Sequence, residues 1–243
     1  LISIVISGKI YSTPVFNFLQ DVSNARAAGL AGTYLCVEND LQGVFFNPAT
    51  LSTVVKNNFS FTFFKHALDI NSGNVSYILP YKLEDGTISV NAIYTNYGTF
   101  DYLDKSGTNF GNFSANDLAL SANYSNILDS NFYYGIGLKY IYSNIEKYSS
   151  TALAMDFGLF YKLQDNRTNL GLSILNAGFQ LSSFDGKSED LPLDVRIGFN
   201  HHLKGLPLLF NASFNHLADK TNTFGEKFKN ISIGGEIYIG QYV

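Results

Sequence analysis

Only a few residues in this chain have the types and the spacing that metal binding or catalysis requires. The histidines are His66, His201, His202 and His216. His201 and His202 are adjacent, so on a strand they point to opposite faces and cannot bind one metal ion together. No spacing of carboxylates suggests further metal ligands. The sequence therefore predicts no metal site.

The sequence also contains no convincing pattern for a catalytic nucleophile or a phosphate-binding loop. Cys36 is the single cysteine and has no neighbouring histidine to activate it, so we expect a buried small residue there. Ser149-Ser150 lacks the glycine flanks of a nucleophile elbow. Gly135 and Gly137 follow the two-residue period of a strand and are expected to be packing glycines, not a phosphate loop. These patterns predict a protein that is not an enzyme and needs no cofactor.

Composition narrows the class of protein further. Charged residues make up only 15% of the 243 residues, against roughly 25% in a typical soluble domain. One cysteine excludes an intramolecular disulfide framework. A net charge of -4 with scattered lysine and arginine indicates no nucleic-acid partner. No stretch approaches the roughly 18 consecutive apolar residues of a membrane-spanning helix.

From residue 57 onward, apolar and polar residues alternate with the period of β-strands. The clearest runs are residues 134–142 and 153–161, where every second residue is aromatic or aliphatic. Such runs predict about ten strands in antiparallel hairpin order. The expected tight turns are Asn71-Ser72-Gly73, Glu84-Asp85-Gly86, Asp129-Ser130-Asn131 and Asp165-Asn166-Arg167. The expected longer polar loops are Asp101–Asn112, Ser182–Asp190 and Asp219–Asn230.

The charged residues of these runs all fall on the polar side of the alternation. They are Asp117, Lys139, Asp156, Lys162, Asp194, Arg196 and Glu236. A lysine or arginine facing lipid costs roughly 2–4 kcal/mol, so the apolar side is free of charge as a lipid-facing surface would be. The polar side is mostly glycine, serine and asparagine, whereas a water-facing exterior is normally rich in lysine and glutamate. The pattern favours an all-β, antiparallel transmembrane β-barrel over its rival, a soluble all-β binding module with an apolar core.

Four of these charges are candidates for a network inside the lumen of such a barrel. They are Lys139, Asp156, Lys162 and Arg196. Neutralisation of one another within the barrel is the simpler interpretation, and a role in ligand binding or conduction is the alternative. Long interior side chains of opposite charge would in either case have to pair, because a buried unpaired charge is costly.

The N-terminal residues follow a different pattern. Residues 1–10 are interpreted as the remnant of a signal peptide, because Leu1–Ile6 is mostly apolar and the chain does not begin with methionine. Residues 11–56 contain a glycine- and alanine-rich run and Pro48, which fixes φ and removes a hydrogen-bond donor. We interpret them as a plug-like segment, with a loop-rich extension as the alternative. Residues 57–243 would form a C-terminally incomplete barrel, since alternation continues to the last residues.

The N-terminal segment contains two motifs, made of Ser23, Ala25, Arg26, Ala27, Ala28, Gly29 and Gly32, and of Asp40, Asn47, Pro48, Ala49 and Leu51. Together they resemble the signature of the PorV/PorQ family, relatives of the FadL-type outer-membrane barrels. Asn24 and Asn39 depart from the signature. Further segments are similar to the PorQ branch and follow in the family's order, namely residues 97–125, 137–161, 191–199 and 215–219.

The resemblance implies a FadL-like barrel of about fourteen strands in the full chain, integral to the bacterial outer membrane. It further implies a non-enzymatic component of the type IX protein secretion system, which scaffolds the cell-surface machinery that attaches cargo. The partners would be the lipid bilayer, lipopolysaccharide and other secretion-system proteins, met by polar surfaces on the long loops. The alternative is a FadL-like outer-membrane transporter of hydrophobic small molecules.

Overall fold

A computed structural model of the chain describes residues 15–21, 24–56, 58–219 and 230–239. The predicted signal remnant, residues 1–10, and the motif residue Ser23 lie outside these ranges. Helices are short: an α-helix, α1, spans Ala25–Gly29, and 3₁₀ turns span Asn17–Gln20, Leu41–Phe45, Pro48–Thr53 and Ala67–Asp69. Within the described ranges, none of these helices has the length and hydropathy to cross a membrane.

Ten strands make up the rest of the described fold. They are β1 Phe59–Lys65, β2 Asn71–Ile78, β3 Thr87–Leu103, β4 Asn109–Asp129, β5 Phe132–Ile145, β6 Tyr148–Lys162, β7 Thr168–Ser182, β8 Asp194–His202, β9 Leu208–Phe214 and β10 Ile231–Ile237. Each strand pairs with the next in sequence, and every described pair is antiparallel. The predicted all-β, hairpin-ordered fold is confirmed.

The sheet is apolar outside and polar inside, the reverse of a soluble barrel. Leu120, Leu138, Phe157 and Ile197 are 45%, 58%, 40% and 51% exposed. Ser125, Asn123 and Asp156, on the opposite face of the same strands, are 0%, 3% and 4% exposed. Because the side-chain period of a strand is two, this inversion repeats along the sheet. The predicted orientation, with apolar side chains outward, is confirmed.

The outward apolar band has the height of a bilayer. On β5 it extends from Phe132 to Tyr142, with Ile136, Leu138 and Tyr140 exposed between them. Ten residue steps at about 3.3 Å each give about 33 Å along the strand. A strand tilted by about 40° therefore covers about 25 Å along the membrane normal, the height of the apolar band in outer-membrane barrels.

Three of the four predicted tight turns are confirmed and one is wrong. The turns at Glu84-Asp85-Gly86, Asp129-Ser130-Asn131 and Asp165-Asn166-Arg167 connect strands as expected. Asn71-Ser72-Gly73 instead begins β2 and pairs with residues 63–65 of β1. The turn lies just before it, where Leu68 and Asp69 adopt φ of 58° and 60°.

The predicted polar loop at Asp101–Asn112 is also wrong, because β3 and β4 run through most of it. Beyond Asn96 on β3 and Ala115 on β4 these strands pair only with each other. The resulting two-stranded extension, residues 97–114, is called the ribbon. The rings of Phe100 and Phe113 stack across it with centroids 5.3 Å apart, and this cross-strand pairing overrides the turn-forming composition. The predicted Asp219–Asn230 loop falls mostly outside the described residues.

Candidate functional site: the filled lumen

The lower part of the lumen, near the tight turns that join β4 to β5 and β6 to β7, holds residues 24–53 of the N-terminal segment. Each short helix there begins at a side-chain cap: Asn24 accepts from the Ala27 N–H at 2.6 Å, Asp40 from Gln42 at 2.9 Å and Asn47 from Ala49 at 3.1 Å. Such caps satisfy N–H groups that the first turn leaves unpaired. Pro48 occupies the first helical position of its turn, where its missing donor costs nothing.

Asn47, Pro48 and Ala49 lie directly against two strands of the wall. Asn47 is fully buried, and its amide donates to the carbonyl oxygens of Leu35 at 3.1 Å and Leu159 at 3.0 Å. The Ser125 hydroxyl donates to the Ala49 carbonyl at 3.0 Å. The asparagine of this motif therefore joins the segment to itself and to β6 through backbone groups alone.

Glycines in the wall make this close approach possible. A Cβ at Gly158 of β6 would lie 2.1 Å from Asn47 Oδ1, and one at Gly135 of β5 would lie 2.3 Å from the Pro48 carbonyl carbon. Gly135 and Gly158 face each other across the β5–β6 pair. A Cβ at Gly171 would meet Cys36 Sγ at 2.7 Å, and one at Gly234 the Leu30 carbonyl at 2.5 Å. We call Gly135, Gly158, Gly171 and Gly234 the glycine seat.

Arg26 joins the N-terminal segment to strand β10. Its Nη1 lies 3.0 Å from Asp40 Oδ2, and its Nη2 and Nε donate to Glu236 at 2.7 Å and 3.0 Å. The Tyr34 hydroxyl donates to the same Asp40 carboxylate. Burial by itself would lower the pKa of Arg26, but the hydrogen bonds to Glu236 and Asp40, with the charges of Glu236 and Tyr34, outweigh burial and raise that pKa. Arg26 is therefore a permanent cation between two carboxylates.

The remaining motif residues have different surroundings. Ala25 begins α1 and is exposed, and no heavy atom lies within 4 Å of a Cβ built at Gly29, the last residue of α1. Gly32 adopts φ of 77°, a left-handed conformation that favours glycine. Its N–H donates to the Ala27 carbonyl at 2.8 Å and so closes the end of the helix.

Of the four candidate lumenal charges, Lys139, Asp156 and Arg196 line one small gap, but only Lys139 and Asp156 pair with each other. Lys139 Nζ lies 2.9 Å from Asp156 Oδ2 and donates to Asn176 Oδ1 at 2.6 Å. Lys162 donates to Glu38 of the N-terminal segment. Arg196 Nε donates to Asp194 at 2.6 Å. All four point inward. Lys139 and Asp156 neutralise each other, while Lys162 and Arg196 pair with Glu38 and Asp194, so the four residues take part in three separate ion pairs.

The Lys139–Asp156 pair also shapes strand β7. The β6–β7 register shifts between Met155 and Phe157, and Asn176 lies at the shift with φ of 59°. The Asp156 carboxylate accepts from the Asn176 N–H at 2.8 Å, and the Asn176 amide donates to the Pro192 carbonyl at 3.2 Å. This chain of bonds draws the β7–β8 connection into the lumen.

The upper lumen is closed by apolar side chains. Phe16 and Phe18 from the first described segment, with Leu191 from the β7–β8 connection, pack on Ala119, Ile141, Ala152 and Ala154 of the wall. These contacts were not predicted from the sequence. Alanines on the inward side of β4 and β6 were the available signal, because small residues leave room for an inserted segment.

A narrow gap lies between these two regions. A gap lined by Phe46, Lys139, Asp156 and Arg196, among others, has a volume of about 20 Å³. A space of this size holds about one water molecule. The arrangement holds the inserted segments against the wall of the barrel. Among the described residues, no group of three or more histidine, cysteine, aspartate or glutamate side chains could hold a metal ion.

Comparisons with known proteins identify the fold. No protein-family model matches the sequence, and no curated protein matches it significantly. The toluene transporter TodX of Pseudomonas putida aligns over 84% of this chain and 71% of its own, at 15% identity and a TM-score of 0.58. A FadL homologue of Pseudomonas aeruginosa aligns over 80% and 68%, at 11% identity and a TM-score of 0.53.

A further structure, a monoaromatic hydrocarbon channel derived from TodX by mutation, has a TM-score of 0.56 at 13% identity. It aligns over 79% of this chain and 69% of its own. At such identities the likeness concerns the fold alone. The chain thus has the FadL-like fold of outer-membrane β-barrels, as predicted, and these neighbours share that fold without specifying the PorV/PorQ branch.

Proposed function

We propose that this chain is an integral outer-membrane barrel that serves as a non-enzymatic scaffold in the type IX secretion system. The observation that carries the proposal is the packing of the inserted segments inside the barrel, where the gap at Lys139, Asp156 and Arg196 has a volume of only about 20 Å³. A barrel filled by its own chain is suited to hold a position in the membrane and less suited to conduct solutes. The resemblance to the PorV/PorQ motifs, which is spread over most of the chain, is the reason why we propose the type IX system in particular.

The ribbon is the surface that we propose for partner proteins. Phe100, Tyr102, Leu103 and Phe110 on it are between 43% and 67% exposed. Large apolar side chains gathered above a membrane barrel favour a protein contact, because soluble surfaces rarely expose such groups together. The proposed surface therefore exposes large apolar side chains beside the polar residues that were expected in this region.

Affinity purification of the tagged chain from a mild detergent extract tests this role. The scaffold proposal expects secretion-system proteins to copurify, and expects the Phe110→Ser variant to lose them. Leu206→Ser is the matched control, since Leu206 is 60% exposed in the β8–β9 turn at the other end of the barrel. Recovery of the barrel alone, or equal recovery of partners with both variants, would contradict the proposal.

The second candidate is a transporter of hydrophobic small molecules. It rests on the TodX likeness, because that protein is a toluene transporter with the same fold. It requires the inserted segments to move aside, which the ion pairs and close packing of the lumen oppose. Uptake of toluene into liposomes that contain the purified chain separates the candidates. Uptake above that of empty liposomes would favour transport, and its absence would favour the scaffold.

A further inference from the structure

An apolar groove lies on the outward face of strands β1 to β3. Gly73 of β2 is paired with Phe63 of β1 and with Tyr94 of β3. Because glycine has no side chain, these neighbours enclose a depression of about 250 Å³, which Phe61, Val75 and Ala92 complete. This is more than ten times the space that remains inside the lumen at the Lys139–Asp156 pair.

The groove faces hydrocarbon and not the lumen. Phe61 and Phe63 are 64% and 60% exposed, whereas Asn74, the next residue after Gly73, is 3% exposed on the inward face. The groove is therefore part of the apolar band that surrounds the barrel. Since water is excluded at that depth, the groove must be filled by lipid or by another apolar surface.

A cation marks the upper end of the groove. Lys65 is the next outward residue of β1 after Phe63, and it pairs with Asn71, which also lines the groove. Its side chain is 70% exposed, at the end of the barrel that carries the ribbon. Asp69 lies 4.0 Å away and is 89% exposed. Such a surface pair contributes little, so an anionic group can compete for Lys65.

We propose that this groove binds one acyl chain of lipopolysaccharide, with a phosphate of its lipid A on Lys65. The long connections of outer-membrane barrels are extracellular, so the Lys65 end lies in the outer leaflet. Lipid A carries acyl chains with phosphates directly above them, which matches the two features of the site, an apolar groove and a cation at its upper end. The inference depends on the membrane placement of the barrel and not on the secretion role.

Native mass spectrometry of the purified full chain in mild detergent, with added lipid A, tests the proposal. Ala92→Phe fills the groove and is expected to weaken lipid A binding about tenfold. This factor corresponds to the loss of about two methylene groups of the acyl chain from the groove. Ala122→Phe is the matched control, because Ala122 is an exposed, outward residue of β4 that does not line the groove. Equal binding by both variants would overturn the proposal.

A second pair of variants tests the phosphate contact. Lys65→Gln is expected to weaken lipid A binding about fivefold, because one lysine near an anionic surface contributes about that factor to the affinity. It should leave phosphatidylcholine binding unchanged, and Lys105→Gln, in the turn of the ribbon, should change neither. Stronger binding of phosphatidylglycerol than of lipid A would overturn the assignment to lipopolysaccharide. A dimer abolished by Ala92→Phe would show that a second copy, and not lipid, fills the groove.

Heat-dependent mobility in gel electrophoresis separates these outcomes from a failure of the barrel itself. The four variants must keep the mobility shift of the folded wild-type barrel. A wild-type chain that shows no such shift and stays in solution without detergent would refute the membrane placement, and with it this site.

Discussion

The lower and the upper lumen are closed by different physical means. In the lower lumen, the glycine seat brings the backbone of the N-terminal segment against the wall, and Arg26 pairs with two carboxylates. In the upper lumen, Phe16, Phe18 and Leu191 fill the space over wall alanines. The lower contacts demand exact geometry, whereas apolar contacts tolerate repacking. The lower lumen should therefore be the part that holds the fold, and the upper part the more easily released.

The largest effect is expected at the boundary between the two regions. Asp156→Ala leaves Lys139 buried without its carboxylate and removes the acceptor of the Asn176 N–H. Breaking a buried ion pair in this way costs about 3–5 kcal/mol. The temperature at which the folded barrel loses its gel mobility should fall. The double variant Lys139→Met, Asp156→Ala should recover much of the loss, and no fall in the single variant would contradict the prediction.

The next effect tests the glycine seat. Gly158→Ala places a Cβ 2.1 Å from Asn47 Oδ1, so the asparagine must move or the strand must shift. Overpacking of this kind costs about 3 kcal/mol, measured by denaturant unfolding in detergent. Gly235→Ala is the control, because its Cβ would find its nearest neighbour at 3.5 Å. Equal stability of the two variants would refute the close packing described for the lower lumen.

A smaller loss is expected from the Arg26 contacts. Arg26→Ala leaves Asp40 and Glu236 facing each other without a cation. The arginine side chain is 33% exposed, so solvent screens part of the effect and about 2 kcal/mol is expected. Arg26→Lys should restore only part of this, since lysine cannot contact two carboxylates with a planar fork. Full rescue by lysine would show that charge alone matters.

Truncation in the upper lumen should affect stability least. Phe16→Ala removes a fully buried ring. Its segment can leave the lumen without disturbing strand pairing, so we expect about 1 kcal/mol, well below the roughly 3–5 kcal/mol of a core phenylalanine. Planar-bilayer conductance should rise if the segment is displaced. A loss as large as that of Gly158→Ala would remove the contrast between the two regions.

Cys36 offers a probe of the lower lumen that leaves stability unchanged. Burial, with a smaller effect of Glu38, raises the pKa of the Cys36 thiol, so the reactive thiolate is scarce at neutral pH. Alkylation of the folded barrel by iodoacetamide should be slow, and unfolding should make it fast. The Gly158→Ala variant should react faster than Phe16→Ala, because only the former disturbs the contacts around Cys36. The reverse order would contradict the comparison.

The sequence by itself determined the strand pattern and the orientation of the two faces. Alternation of period two, with charged residues such as Asp117 and Asp156 on the polar side, was sufficient to predict that Leu138 faces outward and Lys139 inward. Local chemistry also placed three of the four tight turns. These features depend on residues that are close together in the sequence, so they can be predicted from the sequence alone.

Only the tertiary structure decided which inward residues meet. Lys162 pairs with Glu38, and Arg26 with Glu236, across 124 and 210 residues of sequence. The strand register and the path of the N-terminal segment set these pairings, and neither leaves a local pattern. The turn at Asn71-Ser72-Gly73 and the loop at Asp101–Asn112 were wrongly predicted for a different reason. There, pairing between neighbouring strands outweighed the turn preference of the residues themselves.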